Sequence, residues 1–202
     1  KTMAHLWQRY PALRRAAFAQ GFLSIAFSAF WSTLAVMLLD NYQLGSAVAG
    51  MFGIAGAAGA LAAPLAGGLA DKVGAEKVTQ LGAGLVTISF ALMFALPALP
   101  PHGQLALIAL SAVGFDLGLQ SSLVAHQNLV YGLEPKARGR LNALLFTVVF
   151  IGMALGSALG SKVYTIAAWP GVVALATLTG AVALVIRLVD NRRVTAQSRK
   201  IG

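Results

Sequence analysis

The sequence contains no cysteine and very few charged side chains. Without cysteine, the chain has no disulfides, no thiolate metal ligands and no cysteine nucleophile. Only 10% of its 202 residues are charged, against about 25% in soluble domains, and 58% are hydrophobic. A water-soluble fold of this length could not bury so much apolar surface. The composition therefore predicts a protein whose solvent is lipid.

Polar interruptions are also rare, and they separate six apolar stretches. Each stretch exceeds the roughly 20 residues that cross a bilayer as a helix. Turn-forming residues mark the breaks, such as Trp169-Pro170-Gly171, which opens the last stretch. We therefore predict an all-α membrane protein embedded in the lipid bilayer, with six transmembrane helices. The predicted helices are 15–39, 45–70, 77–97, 104–131, 138–163 and 168–189.

Acidic residues are scarce: the chain has 6 Asp and Glu residues and 15 Lys and Arg residues, which gives a net charge of +9. In a soluble chain this balance would suggest nucleic-acid binding. With the predicted helices, however, 14 of the 15 Lys and Arg residues fall on one side and only Lys162 on the other. The positive-inside rule then predicts both termini in the cytoplasm, typical of a bacterial inner (cytoplasmic) membrane protein, and no nucleic-acid partner. The domains expected are a cytoplasmic flank (1–14), a transmembrane domain (15–189) and a basic cytoplasmic tail (190–202).

The two halves of the transmembrane domain resemble each other. Leu-Ala-Gly-Gly-Leu-Ala-Asp-Lys-Val at 65–73 aligns with Leu-Gly-Ser-Ala-Leu-Gly-Ser-Lys-Val at 155–163, an offset of 90 residues. Three helices are an odd number, so a second copy must be inverted in the membrane. We expect a 3+3 inverted repeat of residues 15–97 and 104–189.

The second and fifth predicted helices are rich in glycine, whereas the third and sixth are mostly aliphatic and expected to face lipid. Small residues at helical spacing let backbones approach closely in lipid. The glycines could pack within this chain or against a partner half, and the second option makes them a predicted interface between halves. Its members are Gly53, Gly56, Gly59, Gly152, Gly156 and Gly160.

The first and fourth predicted helices hold most of the polar groups. A charged Asp near the middle of a membrane helix costs about 2.5–3.5 kcal/mol, so Asp116 should face protein or water and is a candidate proton carrier. The alternative is an acid bonded to a neighbouring helix. Gln20 and Gln127 could instead join helices by hydrogen bonds. By their spacing, one face of the first helix carries four predicted cavity residues, namely Gln20, Ser24, Ser28 and Trp31. On the fourth helix, Gln120 and Gln127 share the face of Asp116, and His126 lies beside that face.

The segment Gly-Gly-Leu-Ala-Asp-Lys-Val-Gly-Ala-Glu-Lys, residues 67–77, resembles the signature loop of the major facilitator superfamily. It lies between the second and third predicted helices on the basic side, as that pattern requires. Lys72 replaces the usual Arg, and Ala75-Glu76 stands where basic residues are common. The resemblance extends over nearly the whole chain and is greatest to the carboxy-terminal half, helices seven to twelve, of drug or sugar efflux members. Its further segments are 11–15, 27–34, 115–120, 128–131 and 138–142.

The resemblance implies a division of labour among the helices. The first and fourth would line a central cavity, the second and fifth would meet another six-helix half, and the third and sixth would face lipid. Asp71 would lie against the amino terminus of the partner half's fifth helix and form a gate. The implied gating residues are Gly67, Asp71, Lys72, Gly74, Lys77, Arg138 and Arg140.

The function predicted is membrane transport of a small molecule, by a half-transporter that pairs with a second copy of itself or with another half. Protons are the expected coupling ion, released or taken up at Asp116 in an antiport reaction, and no other cofactor is expected. A non-transporting assembly fragment, or a structural subunit of a larger transporter, is the alternative. An enzyme is not expected, because the three histidines and the serines show no nucleophile elbow or metal-ligand pair.

Overall fold

The computed structural model describes residues 2–61 and 63–201, and these ranges contain helices and no strand. Two short 3₁₀ segments, Leu92–Ala98 and Pro135–Ala137, adjoin α-helices. The helices are α1 (Thr2–Arg9), α2 (Pro11–Tyr42), α3 (Ser46–Leu61), α4 (Ala63–Val73), α5 (Ala75–Ala91), α6 (Pro101–Tyr131) and α7 (Arg138–Ile201).

Length and composition make four of the described helical segments able to cross a membrane. They are Pro11–Tyr42, Ala75–Ala98, Pro101–Tyr131 and Pro135–Val189, and α3 is a shorter apolar helix. The last segment has 55 residues, far more than the roughly 20 that one crossing needs. It is not one continuous span, since its backbone breaks at Ala168 (φ 56°, ψ −155°). The sequence predicted a break between 163 and 168, and Pro170 follows directly where a new helix tolerates it.

The helix boundaries differ from the predicted ones where proline lies near a helix start. α2 begins at Pro11 rather than at residue 15, since proline is pre-organised for the first turn of a helix. The predicted helix 45–70 is described as α3 and α4, and Pro64 lies in the first turn of α4. Residue 62 between them lies outside the described part.

The predicted flank and tail are helical where they are described. Most of the flank forms α1, and its Leu6 is buried against Val130 and Leu141. α7 continues through the predicted tail as far as Ile201, although most side chains from 190 onward lie outside the description. α1, Val130 and Leu141 lie at one end of the bundle. The Gly74 turn lies at the same end, which is here called the basic end.

Aromatic side chains fill the centre of the bundle. Phe30 of α2 contacts Phe115 of α6 at 4.8 Å between ring centroids and Trp169 of α7 at 5.5 Å. Phe90 of α5 stacks on Phe115 at 4.5 Å. Four helices thus meet around one aromatic cluster, which burial in a densely packed interior stabilises.

The glycines of the fifth predicted helix pack within the chain. The backbones of Gly152 and Gly156 lie against Gly21 and Ile25 of α2, and a Cβ at Gly160 would lie 2.8 Å from the Cα of Ala29. Close backbone approach is what small residues permit in lipid. It is used here between α2 and α7.

Two glycines of α3 also face inward, so five of the six glycines pack within this chain, which is the alternative that the sequence left open. Gly56 faces Asp116, and Gly59 lies against the backbone of Val113 in α6. Gly53 is exposed, and nothing lies within 4 Å of a Cβ built there. The spacing indicated close helix approach but did not indicate which helix would be approached.

Candidate functional site

Asp116 lies in a groove bounded by α2, α3 and α6. The groove has a volume of about 280 Å³, and the Asp116 side chain is only 5% exposed. Its carboxyl group has no hydrogen-bond partner within the described part of the chain. The lining residues are Phe27, Trp31, Gly53, Gly56, Ala57, Ala60 and Asp116.

The absence of a side chain at Gly56 makes room for the acid and the indole. A Cβ built on Gly56 would lie 2.5 Å from Oδ2 of Asp116 and 2.8 Å from Cζ2 of Trp31. Both distances are shorter than side chains tolerate, so the carboxyl and the ring occupy space that another residue would fill. The sequence prediction assigned Gly56 to an interface and missed its place beside Asp116.

Trp31 contributes an aromatic wall with an unused donor. Its ring packs at 4.9 Å from Phe30 and at 6.0 Å from Phe115, both in edge-on geometry. Its Nε1–H is buried and finds no acceptor among the described residues. Since buried donors are usually paired, this nitrogen is an exception among the described residues. Asp116 and Trp31 are the two predicted site residues that the structure brings together here.

Gln20, Ser24 and His126 were predicted to line a cavity, and the structure places them inside the bundle. His126 Nδ1 lies 2.8 Å from Gln20 Oε1, and Gln20 Nε2 donates to the Leu119 carbonyl at 3.4 Å. Ser24 donates to the carbonyl of Gln20 at 2.8 Å. Each side chain is at most 1% exposed. Gln20 and His126 thus join α2 to α6, the alternative that the sequence left open for Gln20, while the bond of Ser24 stays within α2.

Ser28 and Gln127 likewise make contacts between helices. Ser28 Oγ donates to the Met153 carbonyl of α7 at 2.6 Å. Gln127 Nε2 donates to Asn142 Oδ1 at 3.2 Å, while Gln120 is half-buried and lies outside the groove lining. The predicted cavity residues therefore divide into residues that line the groove and residues that hold helices together.

The predicted signature loop forms a tight turn between α4 and α5. Gly74 adopts φ +91°, a backbone conformation that glycine accepts far better than other residues. Its N–H donates to the Ala70 carbonyl at 2.8 Å, and Ala70 packs against Val78 and Ala125. The turn is thereby fixed to α6.

The charged members of the predicted gate lie at the basic end without contacting one another in the described structure. The side chains of Asp71, Lys72, Lys77 and Arg140 are exposed, and Gly67 is half-buried. The guanidinium of Arg138 lies 5.8 Å from the ring centroid of Tyr131, a cation–π contact. The predicted gate joins Asp71 to a partner half, so its parts remain available for such a contact.

The sequence analysis counted Arg187 only among the 14 basic residues that predict the topology, but the structure buries its side chain. Its side chain is 3% exposed, its Nε donates to Thr79 Oγ1 at 3.1 Å, and Gln80 Nε2 donates to its carbonyl at 3.5 Å. It therefore fixes α7 to α5. Its position within the apolar run Leu-Val-Ile-Arg-Leu, residues 184–188, was the available signal.

Comparison with known proteins now identifies the family. The model of the Major Facilitator Superfamily matches residues 16–201, nearly the whole chain. The chain belongs to the major facilitator superfamily. As a superfamily member with long apolar helices, it is an integral membrane protein of a transporter family.

Two curated relatives of this superfamily chain are named as transporters. A probable transporter of Streptomyces coelicolor is 36% identical over 174 residues, which cover 85% of this chain and 39% of the relative. A putative uncharacterized transporter of Escherichia coli K12, YgaY, is 34% identical over 150 residues, covering 72% of this chain and 36% of the relative. The chain thus spans less than two fifths of the length of the curated relatives it matches.

Proposed function

We propose that this chain is one half of a secondary active transporter that moves a small molecule by alternating access. The observation that carries the proposal is the Asp116 carboxyl, which lies in a groove beside Trp31 and has no hydrogen-bond partner among the described residues. Membership of the superfamily supports membrane transport as the general activity. The groove provides one wall of a substrate cavity, and a second six-helix unit, either a copy of this chain or another half, would provide the other.

The proposed topology has six crossings in a 3+3 inverted repeat. α2, α3 with α4, and α5 with its 3₁₀ extension would form the first repeat; α6 and the two arms of α7 would form the second. The break at Ala168 supports two crossings within Pro135–Val189. The basic end would lie in the cytoplasm of a bacterial cell, since basic loops favour that side.

The exposed face of α3 is the proposed contact with the second half. Met51, Ile54 and Leu61 are 65%, 71% and 80% exposed and belong to the helix that borders the groove. A second unit packed on these residues would close the groove over Asp116. Rocking of the two units would then open the groove to one side of the membrane at a time.

Proton coupling is proposed to occur at Asp116, with efflux as the direction of transport. An ionised carboxylate without a partner is costly inside a membrane. Asp116 would therefore release its proton when the groove opens to water and take one up before the groove closes. Phe27 and Trp31 offer apolar ring surface to the substrate.

The first prediction concerns Asp116→Asn in proteoliposomes. With ethidium as the probe, an imposed pH gradient should drive dye movement by the wild type, and the Asn variant should lose this response because it cannot exchange a proton. Asp40→Asn is the matched control, because Asp40 lies outside the groove, near the carboxyl end of α2. There its carboxylate accepts a hydrogen bond from the Tyr164 hydroxyl at 2.7 Å. An unchanged response to the pH gradient in Asp116→Asn would remove Asp116 from coupling.

The partial coverage of the relatives favours a second candidate function. A chain that matches 36–39% of each relative could act as a non-transporting assembly unit or structural subunit of a larger transporter. In that case a correctly folded chain would move no probe with or without a pH gradient, either alone or after a complementary six-helix unit is added.

A further inference from the structure

The Asp116 groove offers a ligand a carboxyl group and two aromatic rings. No lysine or arginine is found among its described lining residues, and α3 contributes only glycine and alanine to the wall. The indole nitrogen of Trp31 is fully enclosed, and backbone groups within helices bond to one another. The carboxyl of Asp116 is therefore the polar group that a molecule in this groove would meet.

The carboxyl of Asp116 can be reached from the groove, although the residue as a whole is only 5% exposed. Neither of its oxygens has a hydrogen-bond partner in the described part of the chain. Neither is among the unpaired polar atoms without accessible surface, whereas Trp31 Nε1 is. Oδ2 lies on the side of Gly56, where the missing Cβ would be 2.5 Å away. The glycine thus leaves the acid open toward α3.

The two rings that line the groove beside the carboxyl belong to Phe27 and Trp31. Both residues are half-buried, and their ring centroids lie 6.3 Å apart with an angle of 62° between the planes. The faces of aromatic rings attract cations electrostatically, and a carboxylate does so more strongly. The combination suits an organic cation, whose charge meets the carboxylate while its apolar substituents lie against the rings.

Other classes of ligand fit this groove poorly. A sugar carries several hydroxyl groups, and most of them would lose water without gaining a hydrogen-bond partner from this wall. An anion would meet the like charge of Asp116, and that repulsion is stronger away from water. A neutral apolar molecule would leave the carboxylate unpaired. The chemistry of the groove therefore selects a monovalent cation with apolar substituents.

We propose that the substrate of this groove is an apolar organic monocation, such as an aryl-substituted ammonium or phosphonium ion, with Asp116 as its counter-ion. This inference rests on the proposed transport function and names its substrate class. The cation and a proton would compete for the same carboxylate, so that Asp116 holds one or the other. Exchange of the cation for a proton follows from this competition alone.

Asp116 is the titratable group at this position in the described chain. The groups that face it from α2 and α3 belong to Trp31 and Gly56 and do not titrate, and α3 contains no titratable residue. On α6, His126 is enclosed and bound to Gln20. The titratable residues of α2 lie near its two ends and are Arg14, Arg15, Asp40 and Tyr42. A pH dependence of cation binding would therefore report on Asp116.

Binding of tritiated tetraphenylphosphonium to the whole purified chain tests the proposal. Equilibrium dialysis at a fixed detergent concentration should show saturable binding. The affinity should fall as the pH is lowered, approaching about tenfold for each pH unit once Asp116 is protonated. Asp116→Asn should bind the cation about 30-fold more weakly, as when a buried charge pair loses one partner, and should lose the pH dependence. Asp40→Asn, the control outside the groove, should match the wild type in both respects.

Two further comparisons separate the charge from the apolar contacts. Tetraphenylborate has the same shape with a negative charge, triphenylphosphine oxide is a neutral acceptor, and glucose is rich in hydroxyls; measured separately, each should bind far more weakly than the phosphonium. Phe27→Leu should weaken phosphonium binding by about two- to fivefold, since it removes one ring, and should keep the pH dependence. Equal binding by Asp116→Asn, by Phe27→Leu or of any of the other three compounds would overturn the proposal, and so would binding that ignores pH.

These binding measurements do not depend on flux, so they fail separately from the proposed function. A chain that binds no phosphonium, yet moves another solute in response to a pH gradient, would refute the substrate class and leave transport standing. A chain that binds phosphonium in the manner expected, yet moves no solute alone or with a complementary six-helix unit, would support the cation site and refute transport.

Discussion

At the scale of single residues, a missing side chain decides the shape of the groove around Asp116. Gly56 lies in α3 where any Cβ would meet the carboxyl of Asp116 and the ring of Trp31. Both contacts are made by ends of side chains rather than by backbone. Enlarging Gly56 should therefore displace these groups at little cost in stability, which separates an effect on the site from an effect on folding.

The second prediction is that Gly56→Ala reduces transport of the probe while the chain still folds. The added methyl should push the Asp116 carboxyl and the Trp31 ring away from their positions, and a shift in Trp31 emission should accompany the loss. Gly84→Ala is the control, because nothing lies within 4 Å of a Cβ at that position and Gly84 lies outside the groove. Equal transport by the two variants would show that Gly56 does not shape the site.

The Asp116 site was partly predictable from the sequence. A carboxyl in an apolar helix demands protein or water around it, so Asp116 could be selected without a structure, and Trp31 followed from its shared face with polar residues. Gln20 lies on the same face as Trp31, and His126 lies beside the face of Asp116, yet these two side chains bind each other inside the bundle. Spacing along one helix does not show which side chains find partners on another.

At the scale of helices, close packing and one backbone break define the bundle. Gly152 and Gly156 of α7 lie against the backbone of α2, so these helices approach more closely than larger residues would allow. The break at Ala168 divides α7 into two arms and directly precedes Trp169 in the core. Each feature leads to a stability prediction.

The third prediction is that Gly156→Ala lowers the melting temperature of the purified chain. Its Cβ would meet the backbone of Ile25, which cannot rotate away, and overpacking of this kind costs about 1–3 kcal/mol. Gly84→Ala, in the interior of α5, is the matched control because a Cβ there meets nothing within 4 Å. Thermal unfolding in detergent measures both, and equal melting temperatures would contradict the close packing of α2 and α7.

The fourth prediction is that Ala168→Gly stabilises the chain by on the order of 1 kcal/mol, since glycine adopts the positive φ of this residue without strain. Ala158→Gly should have the opposite effect, by about 1 kcal/mol, because it weakens a regular exposed part of α7. Denaturation curves of the two variants give the comparison. Destabilisation by Ala168→Gly would mean that the break is not a strained turn.

At the scale of the whole molecule, charge is distributed unevenly between the two ends. The exposed cations Lys72, Lys77, Arg138 and Arg140 lie at the basic end. The opposite end carries the links after α2 and before α6. Because basic loops favour the cytoplasmic side, this difference in charge between the two ends predicts the orientation of the entire bundle.

The fifth prediction is that the basic end faces the cytoplasm. Because the chain has no cysteine, single cysteines report on their own positions without background. A membrane-impermeant maleimide applied to intact bacterial cells should label Gly45→Cys and leave Lys72→Cys unlabelled until the membrane is opened. The reverse pattern would invert the proposed topology and place the Asp71 turn outside the cell.

Membrane residence, helical architecture and superfamily membership were all determined by the sequence, because lipid requires long apolar helices and the 67–77 loop carries a specific pattern. Which polar and small residues meet was decided only by the tertiary structure. Gly56 beside Asp116, Gly156 on α2 and Arg187 on Thr79 all depend on the rotation and crossing of helices. Those quantities arise from packing among distant segments, and the periodicity of any one helix leaves them open.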